Sequence, residues 1–534
     1  MRADIDLTSA DQALLDRTPA PPGPRPRERR IDGFDWIVLG VFAAISMWVM
    51  AVDGWEVVVN GHVWTGTDGV YIVDQMQYLA WIRDAANHVL ASNLFVLRST
   101  PHDYFQPAVL ISGGITALGV APWITLLLWK PVAVIAGFWA ARTYVNRSLD
   151  GLWQRRAGLV LCLFFGCFTV IFGQFGVLGD LFPGFLSWGY TFGLIALAAM
   201  VGGLLTYDTA LRNRRLAWMP GVLGAIASLL HPWQGEALIL LVIASELIVG
   251  LRQPITRSRL GLAAVTIGLT GAPLLYYVIL TRADLAWHLA RQASKHSFPL
   301  GSIVIAIVPL MIPALLAYRN PPKTFLAAAT RCWPLVAFGV YFLSGTGAAA
   351  TPLHAFQGIT FPLSVLAIEG LQTLRWRPFK RPRLVGALVV AVAAIPATGY
   401  ELYNAAKLAE PTAGNGNYIL AGERDALNYL AADRAPGGVI TQGYLGALVP
   451  GITGRNTLLG DCLWSEPNCH QRSAIARDLF TGKLGPRGVT RLLHGTQARF
   501  VLADCKTKAD MVRVLGPHLR SVKQFGCAAV YGVD

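Results

Sequence analysis

The sequence predicts a mostly α-helical, polytopic membrane protein that ends in a small α/β domain. Three observations carry that expectation. First, 54% of the residues are hydrophobic and 14% are charged, whereas a soluble chain carries nearer a quarter charged residues. Second, apolar runs recur at 36–52, 121–141, 157–176, 183–206, 217–231, 232–251, 259–281, 301–318, 332–347, 357–373 and 383–400. These make a bundle of about eleven spans, some shorter than the roughly 20 residues that a bilayer prefers. Third, the composition changes after residue 400, where turns, short β runs and amphipathic helices alternate.

Residues 1–35 are rich in Pro and Arg and lack the apolar centre of a signal peptide, so they read as a disordered, basic cytoplasmic tail. The membrane domain then occupies 36–400. Its first loop, 53–120, is long, and within it the apolar stretch 105–118, with Gly113, Gly114 and Gly119 in or beside it, reads as a re-entrant or juxtamembrane element. Basic residues fall in alternate loops: Arg142, Arg147, Arg155 and Arg156; Arg212, Arg214 and Arg215; Arg252, Arg257 and Arg259; Arg319, Lys323 and Arg331; Arg375, Arg377, Lys380, Arg381 and Arg383. The positive-inside rule makes these loops cytoplasmic, together with the N-terminus. An odd number of spans then puts residues 401–534 outside. The net charge of +14 orients helices beside anionic lipid and is a poor argument for nucleic-acid binding.

In the C-terminal domain, 423–433, 470–481 and 508–515 read as helices, and 438–442, 499–503 and 527–531 as strands. Four of the seven cysteines lie here. An exported domain favours two disulfides, most simply Cys462–Cys469 and Cys505–Cys527, although four cysteines allow three pairings. The Cys462 to Cys469 spacing is too wide for a metal-binding CxxC knuckle.

Candidate chemistry collects on the expected outer side. In VDQMQYLAWIRDAANHVL, helical spacing puts Asp74 on one face with Tyr78 and Trp81. A carboxylate on an aromatic face beside a membrane suits a general base, and also suits a solvated acid on an interfacial helix. His102 and Asp103 in HDYFQP, Asp180, His231 and Glu236 in LLHPWQGEAL, and His354 in TPLHAFQG are further substrate-binding candidates. Loop 282–300 breaks the positive-inside pattern. Read as one helix, it lines up Asp284, His288, Arg291 and Lys295, a stripe that with Arg282 suits a lipid phosphate; Arg98 is a second candidate for that role. There is no GxxxxGK[ST], HExxH, GxSxG or Rossmann fingerprint and no clear DxD pair in an outer loop. No metal ligands and no cofactor are indicated; a divalent cation is left open without a residue pattern to support it.

Three stretches then resemble a known family. DQMQYLAWIRDA resembles the first-loop acidic motif of bacterial GT-C membrane glycosyltransferases of the family 39-like kind. HDYFQPAVLISGGITALGV resembles their following H-P-P-L segment. ERDALNYL, GYLGALVPGITGRNTLLGD and ARFVLAD resemble their exported tail. The resemblance implies a multi-pass protein of the bacterial plasma membrane. It also implies a polyprenyl-phosphate-linked sugar as donor, and a glycan, lipid or protein acceptor on the outer face. The first-loop acid would act as base, a role that falls on Asp74, with Asp53 at the end of the first span as the rival. This chain departs from the family in having His102-Asp103-Tyr104 where relatives show His-Pro-Pro, and Gln75 where many have Glu after the Asp. Two other classes stay open at this stage: a transporter or flippase of a lipid-linked saccharide, and a non-catalytic envelope assembly protein.

Overall fold

The computed structural model describes residues 30–68, 70–166, 181–293, 300–345, 352–373, 382–411, 416–496 and 498–534. The chain is mostly helical. Eight of its described helices are long and apolar enough to cross a membrane: Gly33–Val58, Pro122–Ser148, Thr191–Ala210, Pro232–Gly250, Arg257–Ala283, Leu300–Ala317, Phe325–Ser344 and Arg383–Ala409. Three more of the predicted runs are shorter helices, Leu152–Phe164, Met219–Leu230 and Thr360–Gln372. At 1.5 Å per residue each rises only about 20 Å, less than a hydrocarbon core of about 30 Å. Run 157–176 continues outside the described residues. The stretch 105–118 forms a short helix, Pro107–Ala117.

Local chemistry sets the boundaries. Asp32 caps the first helix: Asp35 N–H donates to its carboxylate at 3.0 Å, and its own N–H donates to the Asp35 carboxylate at 3.2 Å. Arginines from the alternate basic loops then clasp acids at helix ends, with Arg142 on Asp35 at 3.0 Å, Arg156 on Asp32 at 3.0 Å, Arg259 on Glu246 at 2.9 Å and Arg331 on Glu369 at 2.8 Å. Helix Met219–Leu230 stops at His231 because Pro232 forces the preceding residue out of the helical region, here to φ −155°, ψ 96°. The last membrane helix runs on to Ala409, nine residues beyond the point where the apolar run ends, because ELYNAAKLA keeps helix-forming residues after it loses hydropathy.

Strand β1, Val63–Trp64, pairs antiparallel with β2, Tyr418–Ile419. This small ladder ties the first loop to the C-terminal domain. The larger sheet has order β3-β4-β6-β5, from Gly438–Ile440, Ala498–Ala503, Ala528–Val533 and Leu519–Phe525. β3 is parallel to β4; the other pairings are antiparallel. Side chains of β4 alternate between two cores. Val501 and Ala503 pack with Leu479, Phe480, Val489 and Leu493 of helices Cys469–Phe480 and Pro486–His494. Phe500 and Leu502 pack with Ala426, Leu427, Leu430 and Leu448 of helices Ala421–Ala432 and Gly443–Thr453. The domain is thus a three-layer α/β sandwich. Both expected disulfides are present, Cys462–Cys469 with Cα atoms 5.3 Å apart and Cys505–Cys527 with Cα atoms 4.7 Å apart.

Helix Ile72–His88 lies at the junction of the two parts. Its Leu79, Trp81, Ile82 and Ala85 share a core with Phe192, Leu230 and Leu280 of the membrane helices and with Trp464 of the C-terminal domain. Gly451 permits the close crossing of helix Gly443–Thr453 here, since a Cβ at that position would sit 3.0 Å from Leu79 Cβ.

Candidate active site

Asp74 occupies the first turn of helix Ile72–His88, where a carboxylate is favoured by the helix dipole. It is half-buried, and the Tyr190 hydroxyl donates to it at 2.9 Å. Tyr190 is itself packed on Tyr71, ring centroids 4.6 Å apart, and reaches His354 at 5.9 Å. His354 meets His231 at 4.8 Å and Trp233 at 4.5 Å. Gln234 donates to Gln357 at 3.1 Å beside this group. The Pro232 break described above is what places His231 at a helix junction rather than inside a span. Asp74, His231 and His354, distant in sequence, therefore belong to one polar and aromatic cluster. Asp461 approaches from the C-terminal domain. Burial, with the charge of Asp74 adding to it, pushes its carboxyl up to about 6, while the Leu463 N–H opposes the shift.

The rival acid has a different setting. Asp53 lies in the last turns of the first helix and is 1% exposed. One oxygen accepts from Asn417 Nδ2 at 2.8 Å and Tyr418 OH at 2.6 Å; the other is buried without a hydrogen-bond partner. Asn417 also accepts from Thr67 Oγ1 at 2.6 Å, next to the β1–β2 ladder. Asp53 thus fastens the junction between first loop and C-terminal domain.

A second buried centre was not among the sequence candidates. Lys130, 1% exposed, pairs with the buried Asp68 and donates to the carbonyls of Ser46 at 2.8 Å and Ser187 at 2.7 Å. Gln75, next to Asp74, closes on the Asp68 backbone with bonds of 2.6 and 3.0 Å. A lone lysine in the apolar run LLLWKPVAV was the signal for it, since an ionisable residue at membrane depth needs a partner.

The other candidates are distributed as follows. Trp81 is 5% exposed and buried among Tyr104, Trp287 and Trp464, with Trp287 stacked at 5.7 Å; it packs the junction instead of offering an open face. Tyr78 sits edge-on to Phe192 at 4.9 Å. Glu236 is half-buried one turn into helix Pro232–Gly250. Asp103 is half-buried near Asp284; burial and then that charge push its carboxyl up to about 6. His102 leaves the substrate group for a different cluster: His102 Nδ1 is 3.1 Å and His88 Nδ1 2.9 Å from the buried Asp84 carboxylate. Asp84, His88 and His102 can together hold a metal ion, a grouping the sequence reading did not make. Asp180 and Lys295 lie outside the described residues.

The basic stripe is broken at its start. Asp284 is extended, buried, and caps helix Leu285–Ala293 by accepting from Ala286 N–H at 2.8 Å. His288 is exposed and Arg291 half-buried on that helix, with Arg282 exposed at the end of the preceding one. Arg98 instead faces Arg472 of the C-terminal domain, whose guanidinium burial and the Arg98 charge hold below its ordinary value.

No protein-family model and no curated relative matches the sequence. Solved structures do. The Archaeoglobus fulgidus oligosaccharyltransferase in its apo form superposes with TM-score 0.56 at 12% identity, covering 94% of this chain and 74% of that one. The mycobacterial arabinofuranosyltransferase AftD gives TM-score 0.55 at 14% identity, over 93% of this chain and 41% of that one. ArnT from Cupriavidus metallidurans, solved with undecaprenyl phosphate, gives 0.50 at 14% identity over 94% and 98%. Matched over nearly its whole length, the chain has the multi-pass GT-C fold seen in these membrane glycosyltransferases.

Proposed function

We propose that this protein is a glycosyltransferase of the bacterial plasma membrane. It moves a sugar from a polyprenyl-phosphate donor to an envelope glycan, lipid or protein acceptor on the outer face, and Asp74 is its general base. The observation that carries the reading is the convergence of Asp74, Tyr190, His231, Trp233 and His354 from four separate parts of the chain, within the fold shared with enzymes that handle lipid-linked sugars. Structures of that fold have been solved with dolichol phosphate and with undecaprenyl phosphate.

The donor has a good leaving group, whereas an acceptor hydroxyl is a weak nucleophile. Asp74 takes the hydroxyl proton as oxygen attacks the anomeric carbon and the carbon–phosphate oxygen bond breaks; such assistance is worth about 10²–10⁴ in rate. Tyr190 orients the carboxylate, and the His231–Trp233–His354 group offers ring faces and polar edges to a sugar. The departing phosphate carries negative charge, and in this proposal Arg282 and Arg291 balance it. Trp287, one turn before Arg291, touches Trp81, which lies about two turns from Asp74 on its helix. One base and direct attack invert the anomeric centre.

The test is reconstitution of the purified chain in liposomes with polyprenyl-phosphate sugars and envelope acceptors. Expected is a new glycosidic bond of inverted configuration. Movement of the lipid-linked sugar across the bilayer without any new bond would replace the proposal with a flippase.

A further inference from the structure

We infer that Asp84, His88 and His102 form a zinc-type divalent-metal site that staples the 90–106 loop to the end of helix Ile72–His88. Asp84 and His88 are four residues apart in the last turns of that helix, so they share one face. The chain then reverses. Ala91 and Tyr104 exchange both backbone hydrogen bonds, at 3.1 and 3.0 Å, and this bridge returns His102 to the same carboxylate. All the ligand atoms lie within 4.8 Å of one another. His88 Nδ1 is 2.9 Å from one Asp84 oxygen and His102 Nδ1 is 3.1 Å from the other, so both imidazoles converge on the one carboxylate that would be shared with the ion.

The surroundings are those of a built site. Asp84 is 4% exposed, and its oxygen nearer His102 also accepts from Ser92 N–H, at 2.6 Å, and Ser92 Oγ, at 2.8 Å, which fixes the orientation of the carboxylate and leaves the oxygen nearer His88 free of those donors. The imidazoles stack 4.0 Å apart, which brings both rings to one side of the carboxylate. Their side chains are 50% and 37% exposed, which leaves water access for a fourth ligand. Val89, directly after His88, is held at φ 72°, a strained value for a β-branched residue and one that the sharp reversal requires. Ten residues, about 15 Å of helix, separate Asp84 from Asp74. The site is therefore structural: it fixes the loop that carries Asp103 and Tyr104.

The test uses the full-length protein with any affinity tag removed. Wild type equilibrated with zinc and desalted is expected to hold about one zinc per chain by elemental analysis, and EDTA is expected to lower its melting temperature. His88→Gln with His102→Gln, and separately Asp84→Asn, are expected to bind zinc at least about tenfold more weakly and to lose the EDTA effect while remaining monodisperse. Cobalt titration of the wild type needs no variant, and should give a visible tetrahedral absorption band. Zinc content equal in wild type and variants, no cobalt band, or a melting temperature indifferent to EDTA would show the cluster to be a hydrogen-bonded Asp–His pair and overturn the inference.

Discussion

Lys130→Met has the most sharply defined structural consequence. The substitution keeps an apolar stem of similar length and removes the charge. It strands Asp68, which is 2% exposed and already has one oxygen without a partner, and it leaves the Ser46 and Ser187 carbonyls without their donor. Breaking a buried ion pair from one side costs about 3–5 kcal/mol. Proton uptake by Asp68 relieves part of that cost, while the two carbonyls add roughly 1 kcal/mol each. The expected loss is therefore about 4 kcal/mol. Asp68→Asn combined with Lys130→Met removes both charges, so the double variant should lose only about 1–2 kcal/mol. Unfolding in mixed micelles by SDS titration, followed by tryptophan fluorescence, measures both. A single variant within about 1 kcal/mol of wild type, or a double variant less stable than the single one, would refute the buried-pair argument.

Other consequences follow from the same geometry. Asp461 holds a proton in the folded chain up to about pH 6, whereas an unfolded Asp releases it near 3.9. The folded state binds more protons across that window, so a contribution of about 3 kcal/mol is complete below about pH 4 and lost as pH rises through 6. Asp461→Asn should flatten the slope of stability between pH 4 and 6, and an unchanged slope would exclude Asp461 as its source. Cys505→Ser with Cys527→Ser opens a loop of sequence separation 22 and should lower the domain's unfolding free energy by about 3 kcal/mol, more than the same change at Cys462 and Cys469; calorimetry of the two variants compares them. Asp53→Ala leaves the buried donors of Asn417 and Tyr418 unsatisfied and should cost roughly 2–4 kcal/mol. Faster limited proteolysis near residue 416, with turnover per folded molecule reduced less than about tenfold, is the expected pattern; protection equal to wild type would contradict the fastening role.

The membrane helices were legible because apolar runs report burial in lipid directly, and the two disulfides because four cysteines sit in one short domain. What the sequence concealed depends on tertiary contact. The sequence reading assigns GYLGALVPGIT no element, yet it is the helix Gly443–Thr453, with Gly451 permitting its approach to Leu79. There packing overrides propensity. The Asp68–Lys130 pair spans 62 positions and the Asp84–His102 contact 18, so no local period encodes either. The helix break ahead of the basic stripe was also not legible: Asp284 caps a new helix instead of continuing the old one, and His288 and Arg291 follow on that new helix. Asp74, His231 and His354 were each visible as polar residues beside apolar runs; Tyr190 and Trp233, the links between them, were not, since aromatic residues near membrane helices are ordinary.

The central claim is that Asp74 removes the acceptor proton. Its most direct measurement is the single-turnover rate of sugar transfer from a polyprenyl-phosphate donor by Asp74→Asn, with donor binding measured in parallel. The amide keeps the shape and a hydrogen bond to Tyr190 but cannot act as a base at neutral pH. The account predicts a rate about 10²–10⁴ lower with donor affinity nearly unchanged. Transfer at close to the wild-type rate by a correctly folded Asp74→Asn protein would contradict it.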